Sequence, residues 1–285
     1  AASLIDDSPI AFPQIGAPLY TPVNYVGKFH GLVPLRVALG NSYNIPAVKT
    51  LAKIGIPAIM QMAQKMGIQS WKDPSRYGLS LTLGGGEVTM LEMASVYATL
   101  GNNGKHVSLM PILSVADYTG KVIDEFKIDK GSQAVTPEIS WIMTNILSDN
   151  AARSQAFGFN SSLVIPDKTV AVKTGTTNEK RDNWTAGYTP SYASVVWVGN
   201  NDNSPMNPYL TSGITGAAPI WHDIMVELLK NMPNEAPEKP ENVLSIPCYF
   251  GKIEYFVRGT EPASGRCAPI PTPSPPAGGS PTPTP

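Results

Sequence analysis

The stretch Thr169-Val170-Ala171-Val172-Lys173-Thr174-Gly175-Thr176-Thr177 constrains this chain more than any other. Its first half, rich in β-branched residues, reads as a strand. The strand then delivers a lysine, a glycine and three threonines. Lys173 can sit where a carboxylate arrives. Gly175 removes a side chain, so another backbone can lie against the strand edge. The threonine hydroxyls supply short, adjustable hydrogen bonds. The tripeptide Lys-Thr-Gly is common by chance, so the surrounding sequence has to decide its meaning.

The 285 residues suffice for one large domain or two small ones, and a hydrophobic content of 42% for a sizeable core. A net charge of −1 gives no electrostatic footprint for nucleic acid or an anionic membrane, so no nucleic-acid partner is expected. No apolar run approaches the ~20 residues of a membrane span. The N-terminal Ala1-Ala2-Ser3-Leu4-Ile5-Asp6-Asp7 is not a signal peptide and reads as the middle of a domain, predicting an upstream portion.

Residues 1–33 carry Pro9, Pro13, Pro18 and Pro22 without a sustained period and read as loop-rich. Helical spacing begins at Leu35. It breaks at Asn41-Ser42-Tyr43-Asn44, resumes through Ile45, Val48, Leu51 and Ala52, and closes at Gly55. Pro57 opens another helix to Met66-Gly67, and Thr89 caps one over Met90 to Leu100. Ile112 to Ile128 predicts a hairpin around Thr119-Gly120-Lys121, and Thr136-Pro137-Glu138 starts a helix to about Ser148. Two strands, Trp184 to Tyr188 and Tyr192 to Gly199, follow the lysine strand, and a helix from Ala217 to Leu229 ends the compact part. Helices, an antiparallel sheet and a returning helix argue for an α+β fold. The domain reading is 1–232, a proline linker at 233–242, a small module at 243–268 and a Pro/Thr-rich disordered tail at 269–285.

Three features accompany the lysine strand. Ser42-Tyr43-Asn44 is a Ser-x-Asn tripeptide at a helix junction, 131 residues before Lys173. A hydroxyl and a carboxamide on one edge can relay protons and hold an amide, although serine and asparagine also favour caps and turns. The run Glu179-Lys180-Arg181-Asp182-Asn183-Trp184 follows directly, and Gly84-Gly85-Gly86-Glu87 precedes a helix. That glycine run lacks the Gly-Lys-Ser/Thr ending of a phosphate loop. His30, His106 and His222 are scattered, with no partner at ligand spacing, so no metal site and no cofactor are expected.

With Leu4-Ile5-Asp6-Asp7, Tyr20-Thr21-Pro22-Val23-Asn24-Tyr25, Leu35 to Val48 and Lys173 to Thr177, the sequence resembles the transpeptidase domain of class A penicillin-binding proteins. The resemblance implies an antiparallel sheet flanked by helices, as in serine β-lactamases and penicillin-binding proteins, incomplete at the N-terminus. Ser148-Asp149-Asn150 also spells the family's Ser-x-Asn, but it lies only 25 residues before Lys173 and reads as a helix C-terminus. The family nucleophile belongs to a Ser-x-x-Lys motif, yet no serine here has lysine three positions later. The expectation is that nucleophile and general base lie upstream of Ala1 and that this chain alone is inactive. Apolar surface left bare by the absent portion predicts poor solubility.

The resemblance implies Ser42 as proton relay and Asn44 as a contact of the lysine and the substrate amide. Lys173 would favour the anionic substrate end. The N–H of Thr176 would form half of an oxyanion hole, with Thr174, Gly175, Thr176 and, more weakly, Thr177 near the terminal carboxylate. Arg181 is either an attractor for that carboxylate or a solvated charge; Asp182, Trp184 and Tyr188 read as packing. The implied partners are peptidoglycan stem peptides, β-lactam antibiotics, and a glycosyltransferase domain and membrane anchor upstream in the same polypeptide, at the cell envelope outside the cytoplasmic membrane. That location favours a disulfide between Cys248 and Cys267, although two reduced cysteines look identical in sequence. A non-catalytic module recognising muropeptides or β-lactams, and a carboxypeptidase or β-lactamase-type hydrolase, stay open as alternatives.

Overall fold

The computed structural model describes residues 1–270 apart from 15, 128, 178–179, 208–211 and 213. The tail from 271 onward and Glu179 lie outside the described residues. In chain order the elements are β1 (Leu4–Asp7), β2 (Phe12–Gln14), β3 (Ala17–Tyr20), β4 (Gly31–Pro34), α1 (Leu35–Gly40), α2 (Asn44–Ile54), α3 (Ile56–Lys65) and α4 (Met90–Gly101). Next come β5 (Lys105–His106), β6 (Ser114–Ala116), β7 (Val122–Glu125), β8 (Ser132–Gln133), α5 (Pro137–Ser148) and α6 (Ser154–Phe157). The chain continues through β9 (Ala171–Thr176), β10 (Asp182–Tyr188), β11 (Ala193–Gly199), α7 (Ala217–Leu229), β12 (Val243–Pro247) and β13 (Ile253–Val257).

The helices begin where local chemistry satisfies their first N–H groups. Thr89 and Glu92 form a reciprocal capping box on α4: the Thr89 hydroxyl accepts from the Glu92 N–H at 3.1 Å, and the Glu92 carboxylate accepts from the Thr89 N–H at 2.9 Å. The Thr136 hydroxyl caps α5, with Pro137 preset for the first turn. The first 33 residues depart from the loop reading. There β1 pairs antiparallel with β4, from Leu4↔Pro34 to Asp7↔Gly31, and β2 pairs with β3. Strands of three or four residues are too short to show a period among prolines.

The central sheet is antiparallel in the order β11-β10-β9, with Lys173 opposite Ala186 and Gly175 opposite Trp184. One face packs on α7 through Val170, Val172, Val196, Trp221 and Met225. The other receives α4 and α5 through Ala171, Tyr188 and Leu147. Gly187 lets α7 approach, since a Cβ there would stand 2.4 Å from the Trp221 ring. Among the described residues β9 has one strand neighbour, leaving its other side as the sheet edge.

The hairpin β12–β13 packs on α5, where Val243 joins Ile142 and Ile146, with Trp141 edge-on to Tyr255. Glu254 accepts from the Arg36 Nε and Nη2 at 2.8 and 2.9 Å, tying the hairpin to α1. Residue Pro237, in the stretch before it, accepts from the Trp141 indole at 3.0 Å. Cys248 and Cys267 are joined by a disulfide with a Cα–Cα separation of 4.7 Å.

Candidate active site

Two separate parts of the chain meet at the site. Ser42 sits in the turn between α1 and α2 at φ +59, a left-handed conformation uncommon for a residue with a side chain. The turn is secured on both flanks. The Asn41 amide donates to Val37 O and Ala152 O, while its oxygen accepts from the Ala156 N–H. The Tyr43 hydroxyl donates to Gln155 Oε1 at 2.7 Å. Held this way, the Ser42 hydroxyl accepts from Lys173 Nζ at 2.7 Å.

The same ammonium donates to Thr174 O at 2.8 Å, so it is steered by its own strand. Burial pushes the Lys173 ammonium down to about 8, although part of the side chain still meets solvent. Burial thus makes the Lys173 ammonium a readier proton donor than an exposed lysine, and its neutral form, once the proton has left, can take one back.

The expected neighbours fall in different places. The Asn44 amide donates to Val23 O at 2.8 Å, and the hydrogen bonds described for Lys173 go to Ser42 and Thr174 instead, so the expected Asn44–Lys173 contact is not among them. Strand alternation puts Thr174 and Thr176 on the face opposite Lys173 and Gly175. Thr174 is buried, and it is its carbonyl that meets the ammonium. The Thr177 N–H donates to Asp182 O at 3.0 Å, which by the antiparallel alternation turns the N–H of Thr176 toward the open edge. The Thr177 hydroxyl bonds to Asp182 Oδ2 at 3.1 Å, and Asp182 Oδ1 accepts from the Trp197 indole at 2.8 Å. These bonds brace the end of the strand.

The glycine run touches the end of the strand at Gly84 and otherwise packs on its own neighbours. A Cβ on Gly84 would meet the Thr177 methyl at 3.3 Å, and one on Gly86 would stand 2.4 Å from Leu81. Arg181 donates to Asn203 O. Tyr188 is buried, bonded to Thr144 at 2.8 Å and edge-on to Tyr97, as packing requires. Ser148 ends α5. Asp149 accepts from Arg36 and from the Ala152 N–H, and the Asn150 amide donates to Phe159 O, so this second Ser-x-Asn serves a helix end.

Sequence reasoning missed a group behind the turn: Asp7, Asn24 and His30. His30 Nδ1 lies 2.7 Å from Asp7 Oδ2, and the Asn24 amide reaches both Asp7 oxygens. Asp7 and Asn24 each lie in a family-like stretch of sequence, but nothing local joins them, because a capping residue twenty positions from its helix leaves no pattern.

A cation and a hydroxyl joined beside an open edge strand, on an antiparallel sheet flanked by helices, match the mixed α/β architecture of penicillin-binding proteins. Residues 5–226 match the family described as "Penicillin binding protein transpeptidase domain". This chain belongs to that family. Penicillin-binding protein 1A of Clostridium botulinum strain Hall is 32% identical over 287 positions, covering 92% of this chain and 34% of the relative. The protein of the same name in Neisseria lactamica is 30% identical over 264 positions, covering 90% and 32%. The chain thus spans about a third of the length of the curated relatives it matches. Among solved structures, penicillin-binding protein 1A from Haemophilus influenzae shares the fold at a TM-score of 0.81 and 24% identity, over 92% of this chain and 45% of the other. PonA1 of Mycobacterium tuberculosis, in complex with penicillin V, gives 0.69 at 26% identity over 84% and 67%.

Proposed function

We propose that this chain supplies the substrate-binding side of a D,D-transpeptidase site that cross-links peptidoglycan stem peptides and is acylated by β-lactams. The observation that carries the reading is the 2.7 Å contact between Lys173 Nζ and the Ser42 hydroxyl beside the open edge of β9. In the reaction, a serine from the upstream part of the polypeptide attacks the carbonyl of the penultimate D-Ala. The C–N bond breaks, terminal D-Ala leaves with the proton on its amine, and an ester remains. An acceptor amine of a neighbouring stem then attacks that ester, forming the new amide and returning the proton to the serine.

Ser42 suits the relay of those protons, being hydrogen-bonded to a lysine that burial lowers to about 8. Lys173 attracts the substrate carboxylate, and the N–H of Thr176, turned to the edge, suits the oxyanion. Relatives about three times as long leave room for a glycosyltransferase domain and a membrane anchor in the same polypeptide, working at the cell envelope. No described helix is long and apolar enough to cross a membrane.

The test is acylation by labelled penicillin. The full-length protein takes the label and the chain of residues 1–285 alone does not. An unlabelled full-length protein overturns the reading. Supplying an acceptor amine separates transpeptidation from hydrolysis, since only the former yields the cross-linked dimer.

A further inference from the structure

The turn carrying Ser42 is held from behind by a single carboxylate. Asp7, at 0% exposure on β1, accepts from the Asn24 amide at 2.8 and 2.9 Å and from the backbone N–H of His30 at 3.0 Å. Its Oδ2 also lies 2.7 Å from His30 Nδ1. From this carboxylate two arms run to the residues that follow Ser42. Along the first, Asn24 Oδ1 accepts from the N–H groups of Asn44 and Ile45 at 2.8 and 3.3 Å. These are orphan donors of the first turn of α2, which has no cap from its own preceding side chain. Along the second, the His30 ring stacks on Tyr43 at 4.1 Å with the planes 8° apart.

Ser42 therefore keeps its left-handed backbone because Asn41 before it is bonded on one flank and its successors are pinned on the other. A residue with a side chain holds such a conformation only where its surroundings over-determine it. Asn24 adds a third bond, to Lys28 O at 2.8 Å, which fixes its amide orientation so that its oxygen can only face α2. The hydrogen bonds described for Asp7, Asn24 and His30 do not include Ser42 or Lys173, so their action on the pair is indirect.

Resting on the transpeptidase reading above, we propose that Asp7, acting through Asn24 and His30, is the positioning residue that keeps the Ser42 hydroxyl within hydrogen-bond reach of Lys173 Nζ. The chemistry demands a fixed turn, because a relay displaced by about 1 Å loses on the order of 100-fold in rate.

The variant to make in the full-length protein is Asn24→Gln. It alters no charge, keeps both polar groups and pushes them one methylene along. Two quantities are read: the titration of Lys173 Nζ by nitrogen NMR, and the pH profile of acylation by labelled penicillin. The proposal expects the Lys173 midpoint to move and acylation to slow 10- to 100-fold at unchanged penicillin affinity. His30→Phe, which keeps the ring stack, should retain more of the rate than His30→Ala. If Asn24→Gln fails to fold, Asp7→Asn reads the same two arms. A folded Asn24→Gln protein with wild-type titration and wild-type pH profile overturns the proposal. So does a loss of rate that merely tracks the folded fraction. Absence of labelling in the wild type sinks the transpeptidase reading instead, and the Lys173 titration still decides the positioning role.

Discussion

Lys173 and Ser42 are 131 residues apart in sequence and 2.7 Å apart in space. One lies on the edge strand of the sheet and the other in a left-handed turn between two helices, so the contact is a product of the whole fold.

Removing the hydroxyl separates chemistry from backbone strain. Ser42→Gly relieves the positive φ while Ser42→Ala keeps it, so the glycine variant should be the more stable by about 1 kcal/mol. Both should slow penicillin acylation of the full-length protein by roughly 100- to 10,000-fold, the range of a lost acid–base group. Thermal melts and label incorporation, run in parallel, check the two halves.

The lysine should also leave a mark on stability. Its folded value, about 8, lies below the unfolded value of 10.5. Below pH 8 both states carry the proton, and the cost of burying the charge is present in full. Between about 8 and 10.5 the unfolded chain binds more protons than the folded one, so stability rises with pH across that window. Lys173→Met should lose this rise, and urea denaturation of both proteins from pH 7 to 11 measures the difference.

Gly187→Ala should destabilise through overpacking. The new methyl would stand 2.4 Å from the Trp221 ring and 2.8 Å from Ala171 O, and both neighbours are buried. A cost of about 1–3 kcal/mol is expected. Pairing it with Trp221→Phe should return part of that loss, read as a denaturation midpoint.

Breaking the buried ion pair of Arg36 and Glu254 by Glu254→Gln should cost about 3 kcal/mol, because it leaves a buried guanidinium with less compensation. Asp149, 3.2 Å from the same arginine, limits the damage. The double variant Arg36→Met with Glu254→Leu should be more stable than Glu254→Gln alone, which their urea denaturation midpoints test.

Helix limits were legible because the signals were local. Thr136-Pro137 and Gly55 announced α5 and the end of α2 within one turn of the boundary. The lysine strand and Ser42 were legible as motifs, and their order along the chain separated Ser42 from the second Ser-x-Asn at Ser148. The four short strands before Leu35 were not, since none exceeds four residues and Pro13, Pro18 and Pro34 fall within three of them. Nor was the cap on α2, whose acceptor Asn24 comes from another part of the chain. The destination of the Asn44 amide, Val23 O, was hidden for the same reason. Tertiary hydrogen bonds leave no spacing to read.

Among the described residues β9 has a strand on one side alone, and the other side carries a cost for the protein. An edge that admits a ligand's backbone also admits a strand from a neighbouring copy, which is how sheets grow into aggregates. A lysine in the middle of that edge opposes such stacking, since two copies meeting there would bring ammonium groups together. On the proposed function, the residue that would welcome an anionic guest would thus also turn away the chain's own twin.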